Sequence, residues 1–242
     1  MRALAAAFVL AAVAFAGPDA QAQVRPQIYD VKFGTPVEAL PTAEWVDPAC
    51  GTNGGPRRQL IGSFTNFKQC TKEPETGLYE IWFSNDDENE LLARATHDAA
   101  TTQRYMANIA FSVPAVFSLL IDEEGKVQGY RLISDTRAAP VIRVLAFQMA
   151  RPFKALSRLD EASCTDIPPL PGERRVEGEF AGPLTKQFCQ QTTDGKRVTI
   201  ESRYFLKPGQ NLIDPFTQQP HPNAFESYAR LEIVNAAALP RP

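Results

Sequence analysis

The sequence predicts an α+β fold, with a mostly antiparallel sheet and two or three short helices. Three observations predict it: strand-like and helix-like segments do not alternate regularly, a clear β-hairpin lies mid-chain, and a strand-like segment follows each of two cysteine-containing segments. A doubly wound parallel sheet would require regular alternation, so this order favours antiparallel pairing. A hydrophobic fraction of 44%, with 15 phenylalanines, is ample for a packed core.

The chain begins with the pattern of a secretory signal peptide, predicted over residues 1–22. Arg2 precedes an apolar run over 3–16, which is shorter than the ~20 residues that span a bilayer as a helix. Small residues flank position 21 and suit signal peptidase, and no cysteine follows that would carry a lipid. We therefore expect a periplasmic protein that starts at Gln23 and has no transmembrane segment after cleavage.

The net charge of −3 is small, and removal of residues 1–22 leaves it unchanged because one arginine and one aspartate are lost. Nucleic acids and anionic membrane surfaces attract strongly basic proteins, so we expect neither as a partner. The remaining length is interpreted as a single α+β domain over 23–234 and a flexible tail over 235–242. Within the domain, sub-modules are expected over 45–110 and 160–234, around a central hairpin and helix over 113–158.

Four cysteines are expected to form structural disulfides, because an exported protein meets an oxidising compartment. They are Cys50, Cys70, Cys164 and Cys189. No Cys-x-x-Cys pattern is present, and no histidine lies at zinc-ligand spacing from a cysteine, so redox and zinc roles are disfavoured. Four cysteines allow three pairings, and their number does not choose among them.

A similarity between two segments favours one pairing. RRQLIGSFTNFKQC at 57–70 resembles RRVEGEFAGPLTKQFC at 174–189, and each segment has another cysteine upstream. If the two copies fold alike, each closes its own loop, which predicts the disulfides Cys50–Cys70 and Cys164–Cys189. Two explanations of the similarity stay open: a duplication of a disulfide-bonded β segment, and chance.

The helices follow from local patterns. Residues 35–38 carry a capping pattern with a proline at the first helical position, which predicts a short helix. Apolar residues at helical spacing predict two more, over 88–100 and 142–156. Pro152 should kink or end the second of these.

The strands are predicted from alternation and from β-branched and aromatic residues. Two apolar runs around the turn at 122–125 predict a β-hairpin over 113–135. Further strands are expected over 78–83, 196–205 and 227–234, with a long loop rich in Pro, Asn and Gln over 207–225.

Residues 115–153 contain a strand, a turn over 121–127, a second strand and a helix that ends in Arg151-Pro152-Phe153. This arrangement resembles the carboxy-terminal domain of TonB-type energy transducers. In those transducers the domain follows a membrane helix and a Pro-rich spacer, whereas here it lies mid-chain, so energy transduction does not follow. The layout of the whole chain is similar to uncharacterised periplasmic proteins of Gram-negative bacteria, which implies a location and not an activity.

Two acidic clusters offer oxygen ligands to a calcium-like ion, but neither has the spacing of an EF-hand, so no metal site is predicted. The clusters are Asp86, Asp87 and Glu88, and Asp122, Glu123 and Glu124 in the hairpin turn. Trp82 is a candidate for binding a sugar. It alternates with Phe83 along a strand, so one of the two is expected in the core and the other is a candidate for exposure.

The sequence lacks a recognisable catalytic constellation. His97 and His221 are expected on a helix surface and in a loop, and no Gly-x-Ser-x-Gly elbow is present. We expect no catalytic residue and no cofactor, and a function in binding an envelope protein or ligand of unknown identity. The alternatives are a small-molecule or lipid carrier, which needs an apolar cavity between sheet and helices, and an envelope hydrolase, which needs a cleft with two carboxylates of shifted pKa.

Overall fold

The computed structural model describes residues 26–54, 58–85, 108–111, 113–136, 138, 140–177, 181–211 and 224–240. The predicted signal peptide over 1–22 and the predicted helix over 88–100 therefore lie outside the described residues. Most of the loop predicted over 207–225 lies outside them as well.

The described residues form one antiparallel sheet of nine strands. Eight of them follow the order β1-β2-β4-β5-β9-β8-β7-β6, and β3 pairs with the remaining length of β4 beside β2. The strands are β1 (Trp45–Cys50), β2 (Tyr79–Asn85), β3 (Asn108–Ala110), β4 (Val113–Ile121), β5 (Val127–Ser134), β6 (Cys164–Asp166), β7 (Thr185–Thr193), β8 (Lys196–Leu206) and β9 (Phe225–Asn235). The prediction of a mostly antiparallel sheet is confirmed.

Helices contribute little to the described fold, so the α+β prediction is only partly confirmed. The helices are α1 (Pro140–Arg143) and α2 (Ala150–Ser157), with a 3-10 helix at Ala146–Met149 between them. The continuous helix predicted over 142–156 is therefore broken before Pro152, and Pro152 lies in the first turn of α2. The first N–H groups of a helix have no partner within it, so a proline there removes no hydrogen bond.

The amino-terminal helix differs from its prediction. The helix expected at residues 35–38 is a single 3-10 turn at Val37–Ala39, because the Thr35 hydroxyl donates to the Lys32 carbonyl (2.7 Å) instead of capping a helix. Beyond β9, Ala236–Ala238 form a 3-10 turn. Leu239 then packs on a small apolar cluster.

The predicted central hairpin is confirmed as β4 and β5. Its turn contains Gly125 with a φ of 78°, a conformation that glycine adopts without a steric cost. A Cβ at Gly125 would lie 3.2 Å from the ring of Phe67, so the turn also packs closely on the segment that precedes β2.

The main hydrophobic core lies on one face of the sheet. The sheet contributes alternate residues of its strands, such as Phe117, Leu119, Leu132, Ile200 and Leu231. They are covered by the amino-terminal segment, the 3-10 helix at Phe64–Gln69 and the helical segment up to α2. Met149 and Phe153 from that helical segment are 1% and 0% exposed, so the space between sheet and helix is filled there.

None of the described helices is long and apolar enough to cross a membrane.

Candidate binding surface

Charged side chains from several strands meet on the second face of the sheet. Arg131 of β5 is fully buried and contacts three carboxylates. Its Nε donates to Glu232 Oε2 (2.6 Å), Nη1 lies 3.2 Å from Glu80 Oε2, and Nη2 donates to Glu73. Burial opposes the charge of Arg131, but Glu80, Glu232 and Glu73 outweigh it and raise the pKa of Arg131.

The network continues from Glu232 toward β8 and becomes more exposed there. Arg230 Nη2 donates to Glu232 Oε2 (2.8 Å), and its Nη1 donates to Glu201 (2.9 Å). Arg197 Nη2 donates to the other oxygen of Glu232 (3.1 Å). Burial opposes the charge of Glu232, but Arg131 and Arg230, with Arg197, outweigh it and lower the pKa of Glu232.

These shifts favour a structural role for the network. A general acid or base works best when its pKa lies near the operating pH. The pKa of Glu232 moves down and that of Arg131 moves up, so both groups keep their charges near neutral pH. The network can hold strands in register, but these two members are poorly suited to transfer protons.

Ser118 of β4 is a buried hydroxyl on the second face of the sheet. It is fully buried beside Arg131, and its Oγ has no hydrogen-bond partner. His97 and His221 both lie outside the described residues. The described residues therefore place no histidine beside Ser118.

The acidic turn of the hairpin is occupied by protein contacts. Asp122 Oδ1 accepts hydrogen bonds from the backbone N–H groups of Glu124 and Lys126 (both 2.9 Å). Its other oxygen accepts from the side chain of Gln128 (2.6 Å). Asp122 therefore closes the turn, as aspartate commonly does.

The neighbouring acids pair with lysines. Glu123 lies 2.6 Å from Lys72 Nζ, whose hydrogen bond lowers the pKa of Glu123, and Glu124 lies 2.6 Å from Lys126 Nζ. Within the described residues, no three potential ligand side chains are grouped to hold a metal ion. Asp86, Asp87 and Glu88 lie outside them.

Trp82 is buried on the second face of the sheet, with 3% of its surface exposed. It packs with Ala49, Val116 and Ile133, while Phe83 lies in the main core on the opposite face. Both side chains are therefore buried, although alternation along the strand had left one of them free to be exposed. A sugar-stacking platform needs an accessible ring face, so this placement does not support the role proposed for Trp82.

The two disulfides are Cys50–Cys70 and Cys164–Cys189, which confirms the predicted pairing. The similar segments around them nevertheless differ in local structure. Residues 64–69 form a 3-10 helix, whereas Thr185 to Cys189 belong to strand β7. Each disulfide holds one edge of the sheet, since Cys50 ends β1 and Cys164 begins β6.

A Pro-rich strap (residues 167–172) follows edge strand β6 and is exposed along its whole length. It has the sequence IPPLPG and carries two exposed apolar side chains, Ile167 (42%) and Leu170 (62%). Three of its residues are prolines, which restrict the backbone and favour extended conformations. Exposed apolar side chains that are close together in sequence are candidates for contact with a partner.

Both ends of the strap are attached to the sheet. The disulfide Cys164–Cys189 lies just before it, and Ile167 N–H donates to the Lys186 carbonyl (2.7 Å). At the other end, one oxygen of Glu173 accepts from Leu170 N–H (2.7 Å) and from Lys186 Nζ (2.8 Å). Burial raises the pKa of Glu173, but the hydrogen bonds from Lys186 and Leu170 outweigh it and lower that pKa.

This surface was not predicted from the sequence. The usable signal was Pro168-Pro169-Leu170-Pro171, an apolar Pro-x-x-Pro segment directly after a cysteine-anchored strand.

No protein-family model, curated protein or solved structure matches this chain. The resemblance of residues 115–153 to TonB carboxy-terminal domains therefore stays a prediction.

Proposed function

We propose that this protein is exported to the periplasm and acts there, without catalysis, by binding another component of the cell envelope through the Pro-rich strap. Export is supported by the leader-like residues 1–22 and by the two disulfides, which persist in oxidising compartments. Binding without catalysis is supported by the charged network, whose shifted pKa values disfavour proton transfer.

The observation that carries this proposal is the exposure of Leu170 and Ile167 on an anchored backbone. Binding costs less entropy when the bound segment is already ordered, and proline restricts the free strap further. Pro-rich segments of this kind dock into grooves lined by aromatic side chains. The partner is therefore expected to be an envelope protein with an apolar, aromatic-lined groove.

The two alternatives have less support. A carrier with a cavity between sheet and helices would need space that Met149 and Phe153 fill in the described core. A hydrolase would need a carboxyl group that can donate a proton near neutral pH. In the described part of the chain, the pKa values of Glu123, Glu173 and Glu232 are lowered and not raised.

The test compares two leucines of similar exposure, Leu170 in the strap (62%) and Leu60 far from it in sequence (54%). Wild-type protein, Leu170→Ser and Leu60→Ser are purified from the periplasm, where the mature chain should begin at Gln23, and are used to capture proteins from an envelope extract. We expect a protein that wild type and Leu60→Ser retain and Leu170→Ser loses. The proposal fails if all three proteins retain the same set.

A photo-crosslinking residue at position 170 in living cells gives a second readout. It should link the protein that Leu170→Ser fails to capture, while the same residue at Gln190, an exposed position on β7, should not. Equal crosslinking from both positions would contradict docking at the strap.

A further inference from the structure

A cleft of about 680 Å³ lies between the amino-terminal segment, the end of α2 and the turn that joins β7 and β8. It shares no lining residue with the Pro-rich strap. Its volume falls in the range of small-molecule sites, which span roughly 300–1,000 Å³.

Apolar side chains line the cleft and remain accessible from it. Tyr130, Val198 and Ile233 come from three adjacent strands, β5, β8 and β9, and are otherwise buried. Tyr29 and Leu156 line the same cleft and remain 41% and 38% exposed. Two large apolar side chains therefore keep accessible surface where a ligand could cover it.

Three cations line this cleft, and none of them forms an ion pair with a described residue: Lys32, Arg158 and Lys196. Lys196 Nζ instead lies 5.4 Å from the ring centre of Phe33, another lining residue. Asp30 and Asp194 also line the cleft, which leaves one excess positive charge among these five groups.

The positions of the charges decide where an anion could sit. Asp30 belongs to the amino-terminal segment, where its side chain accepts from Gln27 N–H (3.3 Å), and it would repel an anion nearby. Arg158 follows α2 and Lys196 begins β8, so these cations come from the other two walls, where Asp194 in the turn before β8 is the one lining carboxylate among the described residues. An anionic group held by Arg158 and Lys196 would leave the apolar floor for the rest of the ligand.

Tyr130 supplies a hydrogen-bond donor at the floor. Its side chain is almost completely buried, and its hydroxyl has no hydrogen-bond partner among the described residues. Burial, together with Asp30 and Tyr29, raises the pKa of Tyr130 to about 12, so the hydroxyl stays protonated under physiological conditions.

We propose that this cleft binds an amphipathic anion, a single carboxylate with a saturated acyl chain. The carboxylate is held by Arg158 and Lys196, and the chain lies along Tyr130, Leu156 and Ile233. This site is separate from the strap and does not depend on the proposed protein partner.

The experiment is titration calorimetry of the mature protein with dodecanoate below its micelle concentration. Dodecyltrimethylammonium, which has the same chain and the opposite charge, is the ligand control. We expect saturable binding of dodecanoate with one ligand per chain and no saturable binding of the cation. Absence of saturable dodecanoate binding, or equal binding of both amphiphiles, would overturn the proposal.

Variants test the assigned residues. Arg158→Gln with Lys196→Gln should weaken dodecanoate binding about tenfold or more, because hydrogen bonds to an ionised group are lost. Tyr130→Phe keeps the ring that the acyl chain contacts and should not weaken binding, because a saturated chain offers no acceptor to the hydroxyl. Arg151→Gln, on α2 but outside the cleft, is the matched control and should bind as wild type does.

Two results would contradict the assignment. If the double variant binds dodecanoate as tightly as wild type, the cations do not hold the carboxylate. If Arg151→Gln weakens binding as much as the double variant does, the effect reflects net charge and the cleft is not the site. Circular dichroism of each variant confirms that the fold is retained before binding is compared.

Discussion

Arg131 shows how this fold accommodates a fully buried charge. Removing a guanidinium from water costs several kcal/mol, and that cost is offset only where partners are close and well oriented. Glu73, Glu80 and Glu232 supply those partners from three separate parts of the chain. The side chain can therefore be charged in the interior only when these segments are correctly folded around it.

Glu232 gives this network a testable dependence on pH. Because the folded-state pKa of Glu232 lies below its ordinary value of 4.5, the carboxylate stabilises the fold fully above pH 4.5. That stabilisation is lost as pH falls through the folded-state pKa. Glu232→Gln should therefore lower the free energy of unfolding at pH 7 by about 3–5 kcal/mol, since it leaves buried arginines without their shared partner.

Urea unfolding between pH 3 and pH 7 measures this effect. The difference between wild type and Glu232→Gln should shrink below pH 4.5, because the unfolded chain then binds a proton at Glu232 that the folded protein binds only at lower pH. Glu177→Gln, at an exposed position, serves as the control and should change stability by less than about 1 kcal/mol. A difference that stays constant down to pH 3 would contradict the role assigned to Glu232.

At the scale of elements, both edges of the sheet are protected from further pairing. The outer edge of β1 is covered by the chain that follows it, since Cys50 N–H donates to the Gln59 carbonyl (2.9 Å) and Arg58 N–H to the Cys50 carbonyl (3.1 Å). At the opposite edge, β6 has only three residues and leads into Pro168 and Pro169. Short edge strands and prolines limit aggregation through strand addition.

The helical segment offers a second prediction at this scale. Pro152 lies in the first turn of α2, where a proline is tolerated, whereas Ala155 lies in the body of the helix. Pro152→Ala should change the free energy of unfolding by less than about 1 kcal/mol. Ala155→Pro, at an exposed position, should cost about 3 kcal/mol. Chemical denaturation of the two variants measures these changes in stability. Equal losses of stability would contradict a start of α2 before Pro152.

At the scale of the whole molecule, the two disulfides hold opposite edges of one sheet. Seven strand-to-strand steps separate β1 from β6 along the hydrogen-bonded order, which at ~4.8 Å per step is roughly 34 Å. A disulfide needs α-carbons ~5.5 Å apart, so no bond could join one edge to the other in this fold. The cysteines are restricted to internal pairs by the topology.

Replacing one pair tests this independence. The double variant Cys164→Ser with Cys189→Ser should keep the Cys50–Cys70 bond and lose about 3 kcal/mol of stability, because a loop of 25 residues is no longer closed. Peptide mapping without reduction identifies the bonds in wild type and variant. The independence of the two disulfides would be contradicted by a wild-type peptide that joins Cys70 to Cys164, or by a variant with free Cys50 and Cys70.

Local patterns predicted the elements whose formation depends on neighbours in sequence. The hairpin of β4 and β5 was predicted because its turn residues and apolar runs are contiguous. The helix before Leu159 was predicted with the wrong boundary, because periodicity does not show where a proline falls within a turn. The burial of Trp82 could not be predicted. Alternation assigns residues to the two faces of a strand, but it does not show whether other residues cover each face.

The sequence by itself determined the antiparallel class, the central hairpin and a correct hypothesis for the disulfides, because each follows from residues close together in the chain. Only the tertiary structure decided the charged network, the strap and the cleft. Arg131 and Glu232 are 101 positions apart and meet because β5 pairs with β9. Which side chains lie buried, paired or exposed depends on such long-range strand order, and that order is set by the packing of the whole sheet rather than by any local pattern.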